Sequence, residues 1–540
     1  MRQLGVVALL CLVASAGVDA DTYPRQPDID AIHYAFTLEL TDTSPEITGS
    51  ASIELRFVTS GVTSLDLDLA SPVDGHGMTV TGVTATATRV TYTHQADRLH
   101  IVMATPAAAE EHRTFVVTYH GVPANGLRLI TNQHGEWSAF SENWPNRARE
   151  WLPMIDHPYD KATSEFIVTT PAKYEVVANG LLVETIDRGD GRRTTHWKQG
   201  VPIASWLNAI GVEQFFVHHA GLVKGVELQT WVAHQDQAAG LVYFEGPARQ
   251  ALEFYSEHVG PYAYEKLANV AAAGINGGTE HASAIFYGER GVKPTPAFGL
   301  VAHEIAHQWF GDAVTERDWD DVWLSEGFAT YFTHLCEEHY LGREAMVAGL
   351  KRDINTILTA QQALPDTPVI HRNLADMTKV LNRFVYQKGG WVLHMLRGRL
   401  GDERFWAGIR AYYQRYQNQN VSTDDFRRVM EQVSGTDLQW FFTQWLTRSG
   451  IPRLEGTWRF DAAARQVTVT LTQSGMAAPA RLPIEIGVTT TAGTPPRIEK
   501  VELIDRTGTF TFTADTEPAA VTLDPNTWLL FEAGPFTKSG

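Results

Sequence analysis

The chain has 540 residues, 44% of them apolar and 20% charged, and a formal net charge of −18. That length predicts two to four domains rather than one, and the composition excludes a wholly disordered chain. With 44 basic against 62 acidic residues, no surplus of Lys and Arg exists to neutralise phosphate. Nucleic acid and anionic membrane surfaces are therefore not expected as partners.

Residues 1–20 read as an export signal: Arg2, an apolar stretch from Leu4 to Val13, then small-residue cleavage sites at Ala14-Ser15-Ala16 and Val18-Asp19-Ala20. The expected location is periplasmic or extracellular. The apolar run is too short to span a bilayer, and no later segment reaches 18 uninterrupted apolar residues. Removing the signal leaves a single cysteine, Cys336, so no intramolecular disulfide is expected.

From residue 21 to 234 the pattern is mostly period two, as in HYAFTLELT, SASIELRFV and RTFVVTYHG. Such alternation, punctuated by Gly, Pro and Asp, predicts half-buried antiparallel strands and an N-terminal β domain. Pro153, Pro158 and Pro171 break segments there, and Asp156 with Lys161 is expected to fix a turn. Near Gln235 the period changes to helical, and the helix is expected to stop at Gly260-Pro261. LANVAAAGINGGTEHASAIFYG then reads as a strand, a glycine-rich loop and a second strand. Gly274, Gly277 and Gly278 permit positive φ and close backbone approach.

The chemistry is concentrated in HEIAHQWFGDAVTERDWDDVWLSE, from His303 to Glu326. His303 and His307 stand at i and i+4, so both imidazoles leave one helix face about 5–6 Å apart at Cβ. That spacing suits two ligands of one Zn²⁺, with Zn–N bonds near 2.0–2.1 Å. Glu304 is turned roughly 100° from His303, beside the metal as a base for a water rather than as a ligand. A catalytic zinc keeps three protein ligands and one open position. Glu326, with 18 residues between it and His307, opens a second apolar helical run and is the candidate third ligand. Further helical patterns lead to about residue 450, including NRFVYQKGGWVLHMLRGRLG and WFFTQW. After Pro452 strands return at roughly ten-residue spacing, predicting a small sandwich over 451–540.

HEIAHQWFGD followed by WDDVWLSEGFATYF resembles the M1 family of zinc aminopeptidases, gluzincins with an HExxH-x18-E site. The resemblance extends to ARE-WLPMIDHPYDKAT within Ala148–Gly180, to GGTEH, to VYQKGGWVLHML and to WFFTQW. It implies a multidomain α+β chain: an N-terminal β saddle (21–234), a thermolysin-like, mainly helical catalytic domain (235–450) and a C-terminal immunoglobulin-like β-sandwich (451–540). The large C-terminal helical cap of longer members is expected to be absent. The implied activity is hydrolysis of the N-terminal residue from peptides that carry a free N-terminus, with one Zn²⁺ per chain.

Residue by residue, GGTEH matches the family's G-x-M-E-N loop. Glu280 would pair with the substrate's α-ammonium, with Gly277 and Gly278 in the loop beside it. Thr279 and His281 replace the usual Met and Asn, which puts the family's side-chain preference in doubt. Tyr386 matches the tyrosine that faces the developing oxyanion, and a phenol stays protonated at neutral pH. Lys388 and Arg383 are expected at the surface or behind the site. Upstream, Trp144 stands where many members carry a Gln or Glu for the substrate amine, and Glu142 is the candidate substitute. The alternatives are a gluzincin endopeptidase, an M1 relative acting on an epoxide, and a non-catalytic binding protein that has kept the fold.

Overall fold

The computed structural model describes residues 21–539; the expected signal, residues 1–20, lies outside them. The N-terminal region is built on a seven-stranded sheet with Ile29–Thr41 at its centre. This strand runs antiparallel to Ser44–Phe57 and parallel to Lys161–Pro171. A register shift between Ala31 and His33 explains its burial pattern. The extra residue resets the alternation, so Tyr34, Phe36, Leu38 and Leu40 face inward after Ile29 and Ala31. A four-stranded and a three-stranded sheet close the rest of this β region, which contains no α-helix before residue 237 among the described residues.

The next sheet positions the site. Its five strands run in the order Phe215–Val223, Val226–Ala233, Lys266–Ala272, Ala284–Gly288 and the short Gly278–Thr279. The change of period near 235 marks the start of helix α1 (Gln237–His258), but the sheet beneath that helix begins well upstream, at Phe215. A boundary drawn at 234 therefore cuts a continuous sheet. Lys266–Ala272 is buried on both faces: Ala268 and Val270 join the N-terminal core, Leu267 and Ala271 the helical core.

Helices α2 (Phe298–His307), α3 (Trp323–Leu341), α4 (Arg343–Ala363), α5 (Gly389–Leu400), α6 (Asp402–Tyr416), α7 (Thr423–Ser434) and α8 (Gln439–Leu446) complete the central region. Gly327 on α3 lies against Gly389 on α5; a Cβ on Gly327 would meet Gly389 Cα at 3.0 Å, so two glycines set this close approach. His334 ties α3 to α4: its Nε2 lies 2.7 Å from Asp353 and its Nδ1 3.2 Å from Glu337. Burial disfavours its charged form, but the two carboxylates outweigh that and raise its pKa to about 9. Raised above the ordinary histidine value of about 6.5, it contributes stability that is complete below that value. The contribution is lost as pH rises through about 9. Melting temperature is expected to fall over that window in the wild type and to fall less in Asp353→Asn, as followed by circular dichroism at several pH values.

The C-terminal region has a four-stranded sheet (Thr507–Thr513, Gln466–Ser474, Arg453–Asp461, Glu532–Lys538) and a three-stranded one (Arg497–Leu503, Leu482–Thr489, Ala520–Leu523). Their inner residues, among them Val467, Val469, Leu471, Ile484 and Ile486, are continuous with the helical core. The aromatic residues of α8 pack this seam, and Gln444 exchanges hydrogen bonds with the backbone of Arg481 at 3.2 and 2.7 Å.

Of two expectations about charged residues, one is narrowed and the other corrected. Lys388 is not at the surface: it is fully buried, and its Nζ donates to the carbonyls of Arg448 and Gly450 at 3.3 Å each. Asp156 and Lys161 do not pair with each other. Asp156 accepts from Arg149 and Ser205, while Lys161 Nζ reaches across to the carbonyls of Asp312 and Ala313. Lys388 and Lys161 find partners far off in the sequence, whereas Asp156 is held both by nearby Arg149 and by distant Ser205. Cys336 is a buried free thiol, its pKa pushed up to about 12 mainly by burial.

Candidate metal centre and its cavity

Helix α2 ends at His307, which brings His303, Glu304 and His307 onto its last turn. Helix α3 carries Glu326 in its first turn and packs beside α2. His303 Nε2 and His307 Nε2 are 3.3 Å apart, and Glu326 Oε2 stands 3.5 and 3.3 Å from them. Four donors held tetrahedrally at about 2.0–2.1 Å from a zinc ion stand roughly 3.3–3.4 Å from one another. The three separations are therefore edges of one zinc tetrahedron. Glu326 Oε2 is buried and accepts no conventional hydrogen bond, which is unfavourable for an anion unless a cation answers it. The residues fit Zn²⁺.

The charge states agree with ligation. Burial alone would raise the Glu326 carboxyl, but His307 and His303 hold it below the ordinary range, as the anion a metal needs. His303 is lowered by burial, toward the neutral imidazole that binds metal. His307 is raised by Glu280 and Glu326 against its burial, so metal must displace a proton there.

Behind His307, Nδ1 lies 2.9 Å from Ser325 Oγ and 3.3 Å from the Phe310 carbonyl; with Nε2 turned to the metal, Nδ1 carries the ring proton and these two oxygens hold it. Gly311, at φ +117°, lets the turn after α2 pass this pair; a Cβ there would collide with Ser325 Oγ and stand 3.2 Å from His307 Nδ1. Losing such a partner lowers metal affinity about 10–100-fold. Ser325→Ala is expected to do so in a competition titration against a chromogenic chelator. Unchanged affinity would mean that the hydroxyl does not orient the ring.

A cavity of about 600 Å³ opens over these ligands. Glu304 faces it with its carboxylate raised well above the ordinary value, first by burial and then by Glu280. Gly278 packs its backbone directly on that side chain, where a Cβ would displace the carboxylate; Gly277, at φ +74°, makes the turn just before it. Glu280 is 5% exposed and one of its oxygens has no hydrogen-bond partner. A carboxylate oxygen of Glu280, one of Glu304 and a nitrogen of His307 all lie within 4.8 Å of one another. Tyr386 closes the opposite side from a π-helical turn, Phe384–Lys388, an irregularity frequent at functional sites. Its ring stacks 6.3 Å from His303, and burial with Glu326 keeps the phenol protonated.

The structure thus brings together His303, His307, Glu326, Glu304, Glu280, Gly277, Gly278 and Tyr386. Glu142 also lines the cavity, but its carboxylate is gripped by Arg147 and by Arg128 at 3.1 Å. Both arginines contact its Oε2, so a substrate amine there would share the carboxylate with two guanidinium groups. Trp144 lines the cavity and stacks edge-on against Trp319. Thr279 faces the cavity, whereas His281 turns away into contact with Phe286 and is pushed down to about 4 by burial. Arg383 is in the cavity wall rather than behind the site. Arg128 and Ser325 carry roles that sequence reading missed; only the helical face of Ser325, one residue before Glu326, hinted at its contact.

Two neighbouring helices presenting HExxH and a glutamate around one metal position define a mononuclear zinc centre of the gluzincin type. A model described as the peptidase M1 N-terminal domain matches residues 30–207, and one described as the peptidase family M1 domain matches residues 247–445. Together they take in well over half of the sequence, and the chain belongs to peptidase family M1. It is 27% identical over 339 residues to aminopeptidase A of Gloydius brevicauda, covering 60% of this chain and 35% of that protein. To aminopeptidase N of Streptomyces lividans it is 28% identical over 355 residues, covering 62% and 40%. The chain spans about a third of the length of the curated relatives it matches.

Among solved structures, the M1 zinc metallopeptidase of Deinococcus radiodurans superposes with a TM-score of 0.67 at 25% identity, over 78% of this chain and 94% of that one. Aminopeptidase A of Legionella pneumophila shares the fold with a TM-score of 0.81 at 18% identity, over 96% of this chain and 61% of that one.

Proposed function

We propose that the protein is a zinc-dependent aminopeptidase that hydrolyses the N-terminal residue from peptides with a free N-terminus. The observation that carries this reading is the buried, partly unpartnered carboxylate of Glu280 in the wall of the zinc cavity. A metal centre alone would serve an endopeptidase equally well. An anion fixed beside it gives a substrate ammonium one place to sit, through a charge-assisted hydrogen bond in a cleft of reduced solvation. The aminopeptidase names of the family relatives point the same way.

Held by His303, His307 and Glu326, a zinc ion would supply Lewis acidity, lowering the pKa of a water toward ~7 and polarising the scissile carbonyl. Glu304 takes the proton of that water and returns it to the leaving amine, acting as base and then as acid. Tyr386 donates its hydroxyl hydrogen to the oxygen on which negative charge develops. Glu280 holds the amino end, so the bond attacked is the first one in from it.

A panel of aminoacyl fluorogenic substrates, with and without chelator, tests the reading. Turnover abolished by chelator and restored by zinc is expected, as is the failure of N-acetylated peptides to react. Equal cleavage of acetylated and free peptides would establish the endopeptidase instead. Turnover of an epoxide and not of peptides would establish the epoxide-acting relative. We further read residues 451–540 as an immunoglobulin-like sandwich, on the strength of their two packed sheets. The protein is read as exported to the periplasm or cell exterior, on the strength of residues 1–20.

A further inference from the structure

Asp21, the first described residue, is 7% exposed. Its carboxylate lies 2.8 Å from His157 Nε2 and accepts from the backbone N–H of Trp319 at 2.9 Å and of Tyr23 at 3.1 Å. Its own backbone nitrogen stands 3.3 Å from Asp318 Oδ1, and the N–H of Thr22 donates to the carbonyl of Leu374 at 3.3 Å. His157 belongs to the β region, whereas Asp318, Trp319 and Leu374 belong to the helical region. One residue thus pins the two together. Trp319 opens the 3₁₀ turn Trp319–Asp321 that leads into α3, so Asp21 sits at the foot of the helix that carries Glu326.

Counting only the groups that are always charged, and setting aside the His157 ring on Asp21, the socket holds two negative charges against one positive. Asp21 and Asp318 are two carboxylates, and Arg25 is the one guanidinium that pairs with both. The neighbouring charges are already matched: Asp68 with Arg98 at 3.3 Å, and Asp156 with Arg149 at 3.0 Å. Asp320 is answered by the amides of Asn373 and Leu374. Besides the His157 ring, the group facing the surplus negative charge is the nitrogen of Asp21. In a continuous chain that nitrogen is a neutral amide. In a chain that starts there it is an ammonium, and a positive charge 3.3 Å from Asp318 Oδ1 completes a two-against-two cluster.

We propose that Asp21 is the mature amino terminus and that Asp318 is the binding site for its α-ammonium group. This rests on the export reading above. The processing step adds water across the Ala20–Asp21 peptide bond. The hydroxyl goes to the Ala20 carbonyl carbon and a proton to the Asp21 nitrogen, which takes a further proton from solvent. Of the two cleavage sites legible in residues 1–20, only the one after Ala20 delivers a charge to this socket. Cleavage after Ala16 leaves Gly17 to Ala20 ahead of Asp21 and an uncharged amide facing Asp318.

The full chain, expressed in an exporting host and recovered from the exported fraction, is expected to begin at Asp21 by intact mass and N-terminal sequencing. A start at Gly17, or an uncut chain, overturns the assignment. The role of Asp318 is tested separately, by comparing Asp318→Asn with the parent in two backgrounds. One is the mature protein; the other is made without export and carries Met-Val18-Asp19-Ala20 ahead of Asp21. The substitution is expected to lower the melting temperature of the mature form by about 2 °C more than that of the extended form. Equal losses would show that Asp318 does not bind the ammonium. Neither readout needs catalysis, so a negative outcome here stands apart from a failure of the aminopeptidase reading.

Discussion

Glutamine in place of Glu304 is expected to leave one zinc per chain by elemental analysis and to lower kcat by about 10²–10⁴-fold. Metal should stay because the three donors that form edges of the tetrahedron are His303, His307 and Glu326, and Glu304 is not among them. The fold should stay because glutamine has the shape of glutamate and the site is already lined by polar groups. Activity should go because an amide cannot take a proton from water, and no other carboxylate is placed to do so. Glu326 is committed to the metal, and Glu280 is committed to the amino end in the proposed reading. Gly278 sharpens the expectation, since its backbone presses on the Glu304 side chain and fixes where the carboxylate can stand. Unchanged kcat would remove Glu304 as the base, and loss of zinc would place it among the ligands instead.

What the sequence made legible follows from the range over which each contact acts. His303 and His307 are one helical turn apart, so helix geometry alone put their rings together, and the observed Nε2 separation of 3.3 Å agrees. Period-two alternation showed that the first two hundred residues are strands, because that pattern is local. It could not show which sheet a strand joins. Ile29–Thr41 pairs in parallel with Lys161–Pro171, and Val226–Ala233 pairs in parallel with Lys266–Ala272 across the change of period.

Partners that the local pattern does not reveal decided the misread charges. Glu142 has the position of an amine-binding carboxylate, yet Arg128, on the preceding strand, and Arg147 together neutralise it. Lys388 carries a charge that suggests the surface, and two carbonyls just past α8 bury it instead. The hydroxyl of Ser325 matters only because α3 approaches the end of α2 closely enough to reach His307 Nδ1.

Removing the Glu280 carboxylate, as in Glu280→Ala, is expected to lower kcat/KM for peptides with a free N-terminus by about 10²–10³-fold. That range follows from the roughly 3–4 kcal/mol at stake when one partner of a buried, hydrogen-bonded charge pair is truncated. The carboxylate is 5% exposed and one of its oxygens has no protein partner, so no other group in the wall stands ready to replace it. Glu142 is the nearest candidate by sequence, but Arg128 and Arg147 already occupy it. The loss should therefore not be recovered by rearrangement. It should also be selective, because Glu280 is not among the three zinc donors: metal content should hold. Glu280→Asp keeps the charge but draws it back by one methylene, and should fall between the wild type and the alanine variant. An equal fall for free and N-acetylated substrates, or loss of zinc, would show that Glu280 serves the metal centre rather than the amino end. In that case the cavity would no longer distinguish a terminal bond from an internal one.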